Sequence, residues 1–189
     1  MKARQLVDTG GAEVLILRDV PDPVPGTGEV LIRVDAAGIN CSGIIWRRGE
    51  YDVETPLPFI PSAEVAGTVV AVGPDANGFR YALLSRQRRH RAAMRSSSSP
   101  LVATTFPIPD GISPIEVISF MTQGLSAALA LRKSGPLARV LVEAAAGGVS
   151  SFALRLAKLY GAGMVIAAAS SPEKCAIAEA CGPGSKVDP

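Results

Sequence analysis

The stretch RVLVEAAAGGVSSFALRLAKLYGAGMVIAAASSPEK, Arg139 to Lys174, decides the fold. Arg139 to Glu143 is a short apolar run with β-branched residues, and it enters Ala144 to Ser151, which is too poor in side chains to be anything but a tight turn. From Ser151 the apolar residues Phe152, Leu154, Leu156, Leu159 and Tyr160 recur at helical spacing and stop at Gly161 and Gly163. Met164 to Ala168 reads as a second buried strand. Strand, helix and parallel strand within about thirty residues form a βαβ unit, whose turn aims backbone N–H groups and a positive helix end at a pyrophosphate. The implied ligand is a dinucleotide.

The glycine fingerprint of such turns, G-x-G-x-x-G, is only partly present, with Ala145, Gly147 and Ser150 in the three positions and Gly148 as an extra glycine. The expected phosphate-facing segment is Ala146, Gly147, Gly148, Val149 and Ser150. Alanine fits the first position if its φ stays negative, whereas Ser150 adds a side chain where helix and strand usually pack closest. An ordinary small-residue turn remains the alternative. The end of the second strand reads Ala169, Ser170, Ser171, where an NAD site usually places an acidic residue. Two hydroxyls with Lys174 one helical turn on suit a 2′-phosphate, which favours NADPH over NADH. The competing reading has Ser170 or Ser171 merely capping a helix from Pro172 to Cys181, with Pro in its first turn and Glu173 at its positive end.

The N-terminal part is β. Runs at Lys2 to Val7, Val14 to Val20, Glu29 to Val34 and Val65 to Val72 are separated by Gly10-Gly11, by Pro21, Pro23 and Pro25, and by Gly38, Gly49 and Gly73, which points to a small barrel. The three cysteines, Cys41, Cys175 and Cys181, and the single His90 lack any metal-ligand spacing, so the cysteines are expected to be reduced packing residues. No signal segment opens the chain and no uninterrupted apolar run approaches membrane length, so a soluble, cytoplasmic protein is expected.

One segment stands apart. Residues 80 to 95 hold six arginines and His90 with no acidic residue, and Ser96 to Ser99 is a serine tract. Taking those six charges from the formal +2 leaves −4, so the basic balance belongs to this segment. A solvated disordered loop is the first expectation for it, a distorted strand the second, and nucleic-acid binding the last.

The turn AAAGGVSSFALRLAKLYGAG followed by SSPEK resembles that of the zinc-free medium-chain dehydrogenase/reductases, the quinone oxidoreductase or ζ-crystallin-like family. Four other blocks resemble that family in the right order: Met1 to Asn40, RRGEY, PLPFIPSAEVAGTVVAVG and FPIPDGISPIEVISFMTQGLSAALALRKSG. Residues 81 to 105 do not, and a slip of the reading frame in the gene would account for an unrelated stretch between good matches. The resemblance implies a GroES-like catalytic domain over residues 1–113 and a partial Rossmann domain over 114–189, α/β plus β overall, with the active site between them. KVDP, Lys186 to Pro189, resembles the start of the third strand of the nucleotide domain.

The resemblance also implies roles. Asn40, in AAGIN, matches the asparagine beside nicotinamide and substrate; Tyr51, in RRGEY, the tyrosine lining the quinone pocket; Ser126, in GLSAAL, a threonine whose hydroxyl touches the nicotinamide end. Bland alternatives are a turn residue, a strand-edge aromatic and a helix serine bonded to its own backbone. Zinc-dependent relatives would carry a cysteine near Asn40 and a histidine at Ala63, whereas Glu64 is kept. The implied activity is NADPH-dependent hydride transfer to a quinone or activated enone, in a family that is usually homodimeric. The alternative is a non-catalytic remnant that retains part of a nucleotide fold.

Overall fold

The computed structural model describes residues 1–50, 56–61, 64–76, 81–84, 97–98, 105–182 and 186–188. The chain divides into two compact units, Met1–Ser119 and Phe120–Pro189. The division falls within a helix that starts at Pro114, the residue at which the sequence places its domain boundary.

In the first unit, β1 (Lys2–Leu6) and β2 (Leu15–Asp19) form an antiparallel pair. Strands β3 (Val30–Ala37), β4 (Val65–Val72), β5 (Tyr81–Leu84), β6 (Ser97–Ser98) and β7 (Thr105–Phe106) form a sheet ordered β6-β3-β4-β5-β7. Among the described residues these strands make two sheets, and an isolated bridge pairs Leu6 of β1 with Phe59, which lies outside both. The alternation that marked the strands puts Val30, Ile32 and Val65 into one core, while Ala3 and Ile60 form another. The arginine-rich residues 85–96, with His90, lie outside the described residues. At either end of that stretch, residues 81–84 and 97–98 are paired strand rather than loop.

Helix α1 (Cys41–Arg48) follows β3, and its Trp46 meets Phe59 edge to face with ring centroids 5.8 Å apart. Phe59 in turn exchanges both backbone hydrogen bonds with Leu6, at 2.7 and 3.0 Å. Aromatic packing and strand pairing therefore fix the C-terminal half of α1 against the end of β1.

Helix α2 (Pro114–Lys133) is long and apolar enough to cross a membrane by length and composition alone, although Glu116, Thr122 and Gln123 interrupt its apolar residues. Its Val117, Ile118, Ala127 and Leu131 are buried, whereas Ile115, Leu125 and Leu129 are exposed. The helix opens with a capping box: Ser113 donates its N–H (2.7 Å) and its hydroxyl (2.6 Å) to Glu116 Oε2. The Ser113 hydroxyl, followed by its backbone N–H, holds the Glu116 carboxyl below the ordinary 4.5. A lowered folded-state value stabilises the fold above pH 4.5, and that contribution is lost as pH falls through the folded value. Thermal melts taken on acidification below this point are expected to show a fall in Tm that is shallower in Glu116→Gln than in the unsubstituted chain.

The second unit holds a parallel sheet ordered β10-β9-β8, from β8 (Arg139–Val142), β9 (Met164–Ala168) and β10 (Lys186–Asp188). Helix α3 (Gly148–Leu159) joins the first two, and α4 (Pro172–Cys181) leads from β9 toward β10. Val142 and Val165, one face of the sheet, cluster with Leu154, Ala157 and Ala178 from the helices. On the opposite face Leu141 and Met164 are exposed. Cys181 packs against this core and Cys175 is half-buried, but Cys41 is exposed and is no packing residue; all three are free thiols.

Candidate functional site

The C-terminal edge of the parallel sheet brings the two halves of the expected cofactor site together. Ala145 continues the strand pairing past β8, donating its N–H to the Ala168 carbonyl at 2.9 Å, so the glycine turn lies beside the end of β9. The left-handed residue is Ala144, at φ 47°, one place before the first fingerprint position. That conformation costs an alanine roughly 1 kcal/mol, and it turns the chain sharply into α3. Ala145 itself is fully buried.

Helix α3 begins at Gly148, three residues before the sequence reading. Gly147 is its N-cap without a side-chain cap bond, and its own N–H is turned inward, donating to the Ala144 carbonyl at 2.8 Å. The Ser151 N–H closes the first helical bond on the Gly147 carbonyl. The donors without an intrahelical partner are therefore the N–H groups of Gly148, Val149 and Ser150, at the positive end of the helix dipole. Gly147, Gly148 and Val149 are exposed, while Ala146 is half-buried. Ser150, the residue that departs from the fingerprint, fits because its hydroxyl donates to the Glu143 carbonyl at 2.9 Å and ties helix to strand.

At the end of β9, Lys174 Nζ lies 2.9 Å from Ser170 Oγ, a cation and a hydroxyl held side by side on the surface. Ser171 behaves differently. Its hydroxyl caps α4, accepting from the Lys174 N–H at 3.4 Å, and its side-chain hydrogen bond is the first cause holding the Glu173 carboxyl low. Of the three residues assigned to a 2′-phosphate, two converge on one spot and the third holds the helix end.

The catalytic candidates divide between the units. Asn40, in Met1–Ser119, is the N-cap of α1 but makes no side-chain cap bond; its Nδ2 instead donates to Glu64 Oε1 at 2.8 Å. Ser126, in the other unit, is an exposed residue of α2 whose hydroxyl donates to the Thr122 carbonyl at 2.6 Å, so that its proton is held by its own helix. Tyr51 and Ala63 lie outside the described residues. Sequence reasoning noted Glu64 but missed its partner. The available signal was a lone carboxyl leading into the apolar run VAGTVVAV. Among the described residues no group of three His, Cys, Asp or Glu side chains is placed to hold a metal.

Residues 26–81 match the alcohol dehydrogenase GroES-like domain, a match that ends where the arginine-rich segment begins. The chain is 35% identical over 172 residues to prostaglandin reductase-3 of Mus musculus, covering 89% of this chain and 45% of that protein. It is 34% identical over 194 residues to a quinone oxidoreductase of Pseudomonas aeruginosa, covering 99% of this chain and 58% of that protein. Among solved structures, the quinone oxidoreductase of Thermus thermophilus, described alone and in complex with NADPH, superposes with a TM-score of 0.84 at 34% identity, over 99% of this chain and 59% of that one. The chain thus spans about half the length of the curated relatives it matches. With a GroES-like unit preceding a Rossmann-like βαβ unit, and with these relatives, the chain belongs to the zinc-free medium-chain dehydrogenase/reductases of the quinone oxidoreductase-like family.

Proposed function

We propose that this chain belongs to an NADPH-dependent oxidoreductase that transfers hydride to a quinone or an activated enone. The observation that carries this reading is the pairing of Ala145 with Ala168, which brings the turn into α3 next to the end of β9, the strand that Ser170 and Lys174 follow. The amides of Gly148, Val149 and Ser150 would hold the pyrophosphate with the helix dipole behind them. Lys174 and the Ser170 hydroxyl would hold the adenosine-side phosphate, the lysine as a point charge and the serine as a donor. Ala146, Gly147 and Ser171 shape the turn and the helix end around these groups. The internal bond of the Gly147 N–H removes it from the donor set.

When bound, NADPH supplies the hydride, which leaves the chain with positioning and polar contact as its contribution. Asn40 is the side chain assigned to orient the reacting carbonyl, with Tyr51 as a pocket wall. Ser126 retains an oxygen that accepts hydrogen bonds, although its proton is engaged. The names of the relatives, quinone oxidoreductase and prostaglandin reductase-3, support an oxidoreductase.

A second reading, a nucleotide-binding protein without turnover, is favoured by the open apolar face at Leu141, which is 61% exposed on the sheet that carries the site. Titrating the chain with NADPH by nucleotide fluorescence and then adding a small quinone separates the two. Binding followed by oxidation is the expected result, binding alone supports the second reading, and no binding overturns both. Lys174→Ala is expected to weaken NADPH about five- to tenfold and leave NADH within about twofold, because only the former carries the extra phosphate. Equal losses for the two nucleotides would remove Lys174 from the phosphate site.

A further inference from the structure

Glu64 is only 2% exposed, and a carboxyl in such a place is costly unless it is hydrogen-bonded. Its position is built from two sides. Gly38 donates its N–H to the Glu64 carbonyl at 3.0 Å, which pairs the end of β3 with the residue leading into β4. A Cβ on Gly38 would overlap both Cγ and Oε1 of Glu64, so the glutamate side chain occupies the space that the glycine leaves. Crossing Gly38, it reaches Asn40 two residues on and accepts from Nδ2 at 2.8 Å. Gly38, Asn40 and Glu64 therefore act as one unit, although the two polar partners are 24 residues apart.

We propose that Glu64 is a positioning residue that holds the Asn40 side-chain amide in a single orientation, an inference that rests on the reading of Asn40 as a ligand-contacting residue. A primary amide turned over by 180° keeps its shape and exchanges its donor edge for its acceptor edge. Turning Asn40 over would set Oδ1 against Glu64 Oε1, two acceptors face to face, and so the carboxyl selects one orientation. Which edge a carbonyl or carboxamide of a ligand meets is then settled before binding. A glutamine at position 64 fills the same volume but can donate as well as accept, and both orientations of Asn40 become available.

The test uses the ¹⁵N-labelled chain and Glu64→Gln, with the Asn40 side-chain signals identified by their loss in Asn40→Asp. In the unsubstituted chain one Nδ2 proton is expected to exchange slowly with solvent. In Glu64→Gln that protection is expected to fall about tenfold, with a second set of Asn40 signals from the other orientation. The melting curve stays close to that of the unsubstituted chain. In NADPH-dependent quinone reduction, kcat falls about 10- to 100-fold while KM for NADPH stays within about twofold, a split that general loosening would not produce. If Glu64→Gln fails to fold, Gly38→Ala displaces the carboxyl from its other side and is expected to change the same Asn40 signals. Asn40 signals that are unchanged when Glu64 is altered overturn the proposal, whatever the turnover. Signals that change in a chain with no turnover at all support the pairing and overturn the reductase reading alone.

Discussion

Leu154→Ala is expected to cost the Phe120–Pro189 unit about 3–5 kcal/mol, the upper part of the range for a buried leucine truncated to alanine. Leu154 is fully buried on the inner face of α3 and sits in the core cluster with Val142, Val165 and Ala167 of the sheet and Ala178 of α4. Five of the eight other buried residues of that cluster are alanines, which have no longer side chain to swing into the space it would leave. The cavity therefore stays open, and a unit of this size holds only a few kcal/mol in reserve. Native-state hydrogen exchange is the measurement. The slow amides of β8, β9 and α3 should exchange together and much faster, while those of β3 and β4 keep their protection. Leu154→Met, which conserves volume, should cost less than about 1.5 kcal/mol. Equal protection in Leu154→Ala and the unsubstituted chain would mean that α3 is not packed on the sheet.

Gly67→Ala is expected to destabilise the other unit by about 3 kcal/mol, a large effect for one methyl group. Between β3 and β4 the register shifts where Val34 pairs with Gly67 and Ala36 with Ala66, which leaves Asp35 as the extra residue of a bulge. At this point the strands approach so closely that a Cβ on Gly67 would collide with the Arg33 carbonyl oxygen and lie 3.0 Å from both Arg33 C and Asp35 N. All of these atoms are backbone, so no rotamer change relieves the contact, and the strands must separate where Val65 and Ala66 are buried. A fall in urea midpoint with unchanged denaturant slope, together with lost amide protection along β3 and β4, is the expected signature. Serine at the same position should do no better than alanine, since the obstruction begins at Cβ. A stable Gly67→Ala protein would show that the bulge does not have this close approach.

Local sequence carried the elements whose ends are marked by residue chemistry. Helix α4 runs from Pro172 to Cys181 as read, because Ser171 caps it and Pro172 opens it. Strands β4 and β9 begin and end where their apolar runs do. The start of α3 was misread as Ser151 because Gly147, Gly148 and Val149 carry no capping side chain, and helical geometry there is imposed by the inward Gly147 bond and the Ala145 pairing with β9. The residues of the cofactor turn were legible from their spacing. Which of their amides remain as donors was not, since that depends on where each N–H points.

By itself, then, the sequence determined the first four strands, the βαβ unit with its small-residue turn, and the placing of Ser170 and Lys174 after the second strand of that unit. Periodicity and turn residues are properties of neighbouring positions, and a linear reading contains them. The tertiary structure alone decided that Glu64 meets Asn40, that Ser150 ties back to Glu143 and that Gly67 admits no side chain. It also decided how the β strands of the first unit pair, in two sheets among the described residues. Each of these depends on a register or an approach between backbones far apart in the chain. Such contacts are set by how the sheets pair and pack, and no local pattern encodes them.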